Sequence, residues 1–172
     1  MWVQLRNKRI HKNEVYRLAR RLKPLIQRYG AHLIINDHLE VAHELQLGVH
    51  LGVDDGDPVQ ARRLLGPDSI IGITIHNDIE RAHRYAGVAT YVGVGPVFHT
   101  TTKADTKSVL GIEGLEEVLA HSPLPVVAIG GIQMHNIESV IHTKPAHIAV
   151  CSAICSASDP LVAWRHLHHR LP

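Results

Sequence analysis

Strand-like and helix-like segments alternate from one end of this 172-residue chain to the other, which predicts an α/β fold on a parallel sheet. The stretches Ile70-Ile-Gly-Ile-Thr-Ile75 and Val126-Val-Ala-Ile129 are continuously apolar rather than alternating, as strands are when both sheet faces are covered. No long linker or low-complexity tract interrupts the pattern, so residues 1–172 read as one domain. Seven βα units are visible. The pattern alone fits an open doubly wound sheet or a (β/α)₈ barrel short of its first unit.

The strands are expected at Trp2–Arg6, His32–Asn36, Gly48–Leu51, Ile70–Ile75, Tyr91–Val97, Pro125–Gly130 and His147–Ser152. Helices are expected to start near Asn13, Leu39, Pro58, Asp78, Ile112, Asn136 and Pro160. Asp57-Pro58 and Asp159-Pro160 each put a capping carboxylate before a proline at the first helical position. Asn77 or Asp78 is positioned to cap the helix carrying Ile79, Ala82 and Tyr85.

Hydrophobic content of 45% suits a substantial core, and a formal charge of only +2 argues against a broad nucleic-acid footprint. Arg17, Arg20, Arg21, Lys23 and Arg28 share one expected helix and read as its solvated face. The 15 histidines are scattered, with no His-Glu-x-x-His or Cys-x-x-Cys pairing, so a structural zinc site is not expected. Cys151 and Cys155 read as two semi-buried thiols. No signal peptide and no bilayer-spanning apolar run is evident, which makes a cytoplasmic protein without membrane contact the expectation.

The chemistry gathers at the carboxyl ends of the strands, where a barrel keeps its active groups. Gly95-Pro-Val-Phe-His-Thr-Thr-Thr-Lys103 opens a buried strand into glycine, hydroxyls and a lysine, a set suited to an anion, although a plain surface loop has the same composition. Gln4-x-Arg6-x-Lys8 alternates, so one strand face would carry all three; either an anion sits there or the strand is an exposed edge. Asn36-Asp37 and Asp55 offer hard oxygens from neighbouring strand ends, which suits Mg²⁺ shared with substrate phosphates, or else simple capping. Gly130-Gly131 and Val150-Cys-Ser-Ala153 end the last two strands in small residues, where backbone amides can cradle a phosphate. His76 is a candidate proton donor or acceptor, or a packing residue.

Taken in order, Gln-Leu-Arg-x-Lys, Ile-Ile-Asn-Asp, Gly-Val-His-Leu-Gly-x-x-Asp, Gly-x-Thr-x-His-Asn, Gly-Val-Gly-Pro-Val-Phe-x-Thr-x-Thr-Lys, Val-Ala-Ile-Gly-Gly-Ile and Ser-Ala-Ile resemble the thiamine phosphate synthase family from Gln4 through Ile154. The resemblance implies a TIM barrel and a transferase that joins a pyrimidine diphosphate to a thiazole phosphate, with Mg²⁺, releasing pyrophosphate. It implies that Arg6, Lys8, Asn36, Thr74 and Lys103 hold the diphosphate, with Gln4 near the pyrimidine. Asp37 and Asp55 would ligate the metal; Thr100, Thr102, Gly131 and the Cys151-Ser152 backbone would take the thiazole phosphate. Family members usually have one more strand and helix before Gln-x-Arg-x-Lys, so a homo-oligomer or fusion partner covering that edge is an expectation. Val53 stands where the family commonly has a polar residue. The related thiazole tautomerase, which shares the histidine at position 76, and a non-catalytic thiamine phosphate-binding protein are the rival readings.

Overall fold

The computed structural model describes residues 1–102 and 108–171. Two compact units are distinguished, Met1–Thr74 with Arg84–Tyr91, and Ile75–His83 with Val92–Pro172.

In the first unit, β1 (Trp2–Leu5), β2 (His32–Asn36), β3 (Gly48–Leu51) and β4 (Ile71–Thr74) lie side by side in chain order, with β1 at the edge. All are parallel, in registers that set Trp2 beside His32, Ile34 beside Gly48 and Val49 beside Ile71. The crossovers are α1 (Lys12–Arg28), α2 (Leu39–Leu45) and α3 (Pro58–Leu65). Their apolar faces close over the strands through Val15, Ala19, Leu33, Ile35, Val41, Val49, Leu51 and Ile71. Burying such side chains stabilises the unit by about 1.5–3 kcal/mol each. Asp57 caps α3 by accepting the Val59 N–H at 3.0 Å, as its place before Pro58 predicts. The basic residues of α1 do face solvent, although Lys23 reaches across to donate to the Leu45 carbonyl at 2.8 Å.

One guanidinium ties the far end of this unit together. Arg62 donates to the carbonyls of Gly66, Pro67 and Ser69, each at 2.8 Å, and of Val88 at 3.0 Å. Thr90 adds to the same knot, its Oγ1 accepting the Ile71 N–H at 3.0 Å while the Thr90 N–H donates to the Ile71 carbonyl at 2.7 Å.

The second unit holds α4 (Ile79–Arg84, its Arg84 belonging to the first unit), β5 (Tyr91–Val94, its Tyr91 likewise), α5 (Gly111–His121), β6 (Val126–Ile129), α6 (Ile137–His142) and β7 (His147–Ala149). Two further helices follow, α7 (Ser152–Cys155) and α8 (Pro160–His168). Val92 pairs with Val126 and Val127 with His147, again parallel. Asp159 caps α8 through the Leu161 and Val162 N–H groups, and Asp78 accepts the Arg81 N–H at 2.9 Å. Among the described residues no helix is long and apolar enough to cross a membrane.

The α/β alternation expected from the sequence is present, with corrections at strand ends. β1 stops at Leu5, so Arg6 lies beyond it and Lys8 sits in a turn rather than on the strand face carrying Gln4. β5 stops at Val94, because Gly95 turns away with φ 155 and Pro96 has no N–H for a ladder. β7 stops at Ala149, and Ser152–Cys155 forms the short α7 instead of extending the strand. Cys151 and Cys155 are exposed and in no disulfide, not semi-buried, since the short helix and the residue before it lie at the surface.

Candidate functional site

Each unit collects its own group of polar side chains at strand ends. In the first, the turn after β1 brings Lys8 to the carboxylates that follow β2 and β3. Lys8 Nζ lies 3.1 Å from Asp37 Oδ2 and 3.6 Å from Asp55 Oδ2. Asp37 reaches this position in the left-handed region, φ 68, with its N–H donating to the His50 carbonyl at 2.9 Å. It does not cap α2, whose cap position is His38 without a side-chain bond. Asp55 Oδ2 accepts the Gly52 N–H at 3.2 Å, which folds its loop back onto the end of β3.

Burial pushes the Asp37 carboxyl above its ordinary range, a hydrogen bond with Asp55 and the Asp55 charge push the same way, and Lys8 opposes them only in part. Burial alone would lower the Lys8 ammonium, but the hydrogen bond and charge of Asp37, with the charge of Asp55, outweigh it and the Arg6 charge and hold it above its ordinary value. Two carboxylates this close favour a shared proton or an added cation. Arg6, half-buried beside them, has its Nε buried without a hydrogen-bond partner. Asn36 ends β2 in a buried position. A paired hard-oxygen set next to a guanidinium with an unpartnered Nε fits Mg²⁺ held with a phosphate-bearing ligand, since magnesium takes one or two carboxylates and completes its shell with water and phosphate. Among the described residues, no group of three or more His, Cys, Asp or Glu side chains forms a metal cluster.

Thr74, at the end of β4, is joined to the interior by His50, whose Nε2 lies 2.9 Å from Thr74 Oγ1. His50 Nδ1 lies 2.9 Å from the hydroxyl of Tyr91. Gln4 is exposed on the edge strand. The sequence reading passed over His50 and Tyr91; the only signal was a single polar residue inside the apolar run Gly48-Val-His-Leu51.

In the second unit a cavity of about 420 Å³ is lined by Thr100, Thr102, Gly131, Gln133, Asn136 and Ser152, with Phe98, His99, Thr101 and His135 around them. Thr100 and Thr102 lean on each other, Oγ1 to Oγ1 at 3.2 Å, and the Thr102 N–H donates to Thr100 Oγ1 at 3.2 Å. Gly131 adopts φ 67, and a Cβ there would press on the carbonyl oxygens of Phe98 and His99, so only glycine lets the two loops meet. Asn136 fastens the next loop by accepting the Gln133 N–H at 2.7 Å and donating to the Gly131 carbonyl at 3.0 Å. Gln133 donates to Ser152 Oγ at 3.2 Å. Thr100, Thr102, Gly131 and Ser152 therefore come together, whereas Cys151 is exposed and does not line the cavity. Lys103 lies outside the described residues. His76 is buried with φ 56, and its Nδ1 lies 2.7 Å from the Gly95 carbonyl oxygen.

A family model described as thiamine monophosphate synthase matches residues 1–154. The thiamine-phosphate synthase of Halalkalibacterium halodurans is 41% identical over 158 residues, spanning 91% of this chain and 75% of that protein. That of Shouchella clausii is 42% identical over 166 residues, 96% of this chain and 79% of its own length. Among solved structures, thiamine phosphate pyrophosphorylase from Pyrococcus furiosus superposes with a TM-score of 0.86 at 33% identity, covering 98% of this chain and 81% of that one. A 3-hexulose-6-phosphate synthase, at 16% identity and a TM-score of 0.71, shares the fold alone. The fold is thus the TIM-type α/β fold, and the chain belongs to the thiamine monophosphate synthase family of transferases.

Proposed function

We propose that this chain condenses an aminopyrimidine-methyl diphosphate with a thiazole phosphate, releasing pyrophosphate and thiamine phosphate, and that its two polar clusters divide the substrates between them. The observation that carries this reading is the pairing of Asp37 and Asp55 around Lys8, with the unpartnered Nε of Arg6 beside them. Carboxylates that share one ammonium, next to a guanidinium whose Nε is buried without a hydrogen-bond partner, suit a diphosphate arriving with a divalent cation.

In this mechanism Asp37 and Asp55 would hold Mg²⁺, which when bound would supply positive charge against the departing diphosphate. Arg6, Lys8, Asn36 and Thr74 grip the diphosphate oxygens, and Lys103 is assigned to the same task. Gln4 addresses the pyrimidine. As the C–O bond breaks, negative charge grows on the leaving group, and donors fixed beforehand around it lower the barrier. The pyrimidine-methyl carbon becomes cationic, stabilised by the ring amino group, and the thiazole nitrogen captures it. Thr100, Thr102, Gly131 and the backbone at Cys151-Ser152 hold the thiazole phosphate, so the nitrogen is positioned rather than activated. No protein nucleophile or strong base enters the scheme.

The test is pyrophosphate release from both substrates, with Mg²⁺ and with EDTA. Magnesium-dependent release together with thiamine phosphate is expected, and an Asp37→Asn/Asp55→Asn double variant that still melts cooperatively should lose at least about a hundredfold in turnover. Undiminished release in EDTA, or a folded double variant with wild-type turnover, overturns the assignment.

A further inference from the structure

His50 and Tyr91 are buried polar residues of the first unit that the mechanism above does not use. His50 is only 9% exposed, in the apolar strand β3, and an imidazole there is costly unless both ring nitrogens find partners. Both do: Nδ1 lies 2.9 Å from Tyr91 Oη, and Nε2 lies 2.9 Å from Thr74 Oγ1. The Tyr91 ring reaches His50 by crossing β4 at Gly72, where any Cβ would run into its hydroxyl end. Trp2 packs against that ring with centroids 5.1 Å apart.

The proton inventory then gives the chain a direction. A buried hydroxyl must place its one hydrogen on an acceptor, and the Nδ1 nitrogen of His50 lies within bonding distance of it. Tyr91 keeps its own proton because it is deeply buried, and that proton is left to donate to His50 Nδ1. An accepting Nδ1 places the ring proton on Nε2, which donates to Thr74 Oγ1. The threonine hydroxyl, with a lone pair engaged, has its hydrogen left for another acceptor. In the opposite tautomer a bare Nε2 would draw that hydrogen inward, and Thr74 would turn lone pairs toward an anion.

We propose that His50 is a positioning residue for Thr74: the Tyr91–His50 chain fixes the Nε2–H tautomer and so holds the Thr74 hydroxyl as a donor toward the substrate diphosphate. This rests on the reading of Thr74 as a diphosphate contact. The chain acts through Thr74 and makes no contact of its own with the reacting atoms.

Two measurements on the full chain test it. In ¹⁵N-labelled protein the His50 ring signals, identified by their loss in His50→Asn, should show a bare Nδ1 and a protonated Nε2. Tyr91→Phe keeps the ring against Trp2 and should release the tautomer, so that an Nδ1–H form appears. In steady-state kinetics Tyr91→Phe and Thr74→Val should each lower kcat/KM for the pyrimidine diphosphate about tenfold, and the double variant should fall no lower than Thr74→Val alone. A protonated Nδ1 in the wild-type spectrum, wild-type kcat/KM in Tyr91→Phe, or additive losses in the double variant would each overturn the positioning role. The wild-type spectrum decides the tautomer whatever the variants do. If Thr74→Val turns over normally, the diphosphate contact falls and the positioning role falls with it; a wrong tautomer alone leaves that contact standing.

Discussion

Asp37 carries a side chain in the left-handed region of backbone space, where only a few per cent of non-glycine residues sit and where aspartate is better tolerated than most. That backbone turn places its carboxyl beside Lys8, which also reaches Asp55. A carboxyl whose folded pKa lies above its unfolded value of about 3.8 costs nothing below that value, because it is protonated in both states. As pH rises from there through the raised folded value, the unfolded chain ionises first and stability is lost. Without magnesium, the wild type should therefore lose stability relative to Asp37→Asn across this window, and added Mg²⁺ at neutral pH should restore it. Urea midpoints measured from about pH 3 to pH 7 give the comparison. Parallel pH curves for the two proteins would show that Asp37 carries no such strain.

Among the elements, β4 is the one whose sequence is constrained by what crosses it. Ile71 and Ile73 bury their side chains completely, and Gly72 between them leaves the gap through which Tyr91 reaches His50. Gly72→Ala forces the Tyr91 ring to move or the strand to shift, an overpacking that should cost about 1–3 kcal/mol in a urea melt. The displaced ring would also leave His50 Nδ1 without its partner, so turnover should fall even in the folded fraction. A variant with unchanged stability would mean that Tyr91 has room elsewhere.

Across the whole molecule, the alternation of elements is legible because parallel strands covered on both faces are unbroken apolar runs and the caps Asp57 and Asp159 announce their helices. Strand ends were harder, since Arg6, Pro96 and Val150 continue a plausible β pattern while the ladder has already stopped. Asp37, Asp55 and Lys8 stand out in the sequence through the ordered motifs that carry them, since aspartates after a strand read equally well as caps; the fold brings the three side chains together. His50 and Tyr91 do not, for their partnership spans 41 residues and exists only through the register of neighbouring strands and a missing Cβ at Gly72. His135 and Gln133 beside the cavity likewise look like ordinary loop residues until the loop is folded.

The Arg62 knot has a consequence in time as well as in space. Its bonds run to Val88 and to the turn before β4, and the stretch Arg84–Tyr91 belongs to the first unit. Amide hydrogens in a stretch so fastened exchange with solvent only when the cooperative unit itself opens. The Thr90 N–H should thus exchange as slowly as those of β4, although it lies just outside any strand. Arg62→Lys, which keeps the charge but loses the planar fork, should speed Thr90 exchange well ahead of β4 in native-state hydrogen-exchange measurements. Equal rates in the variant would mean that the strand pairing alone sets that lifetime; a selective gain would make one side chain the clasp that decides when this part of the chain is seen by water.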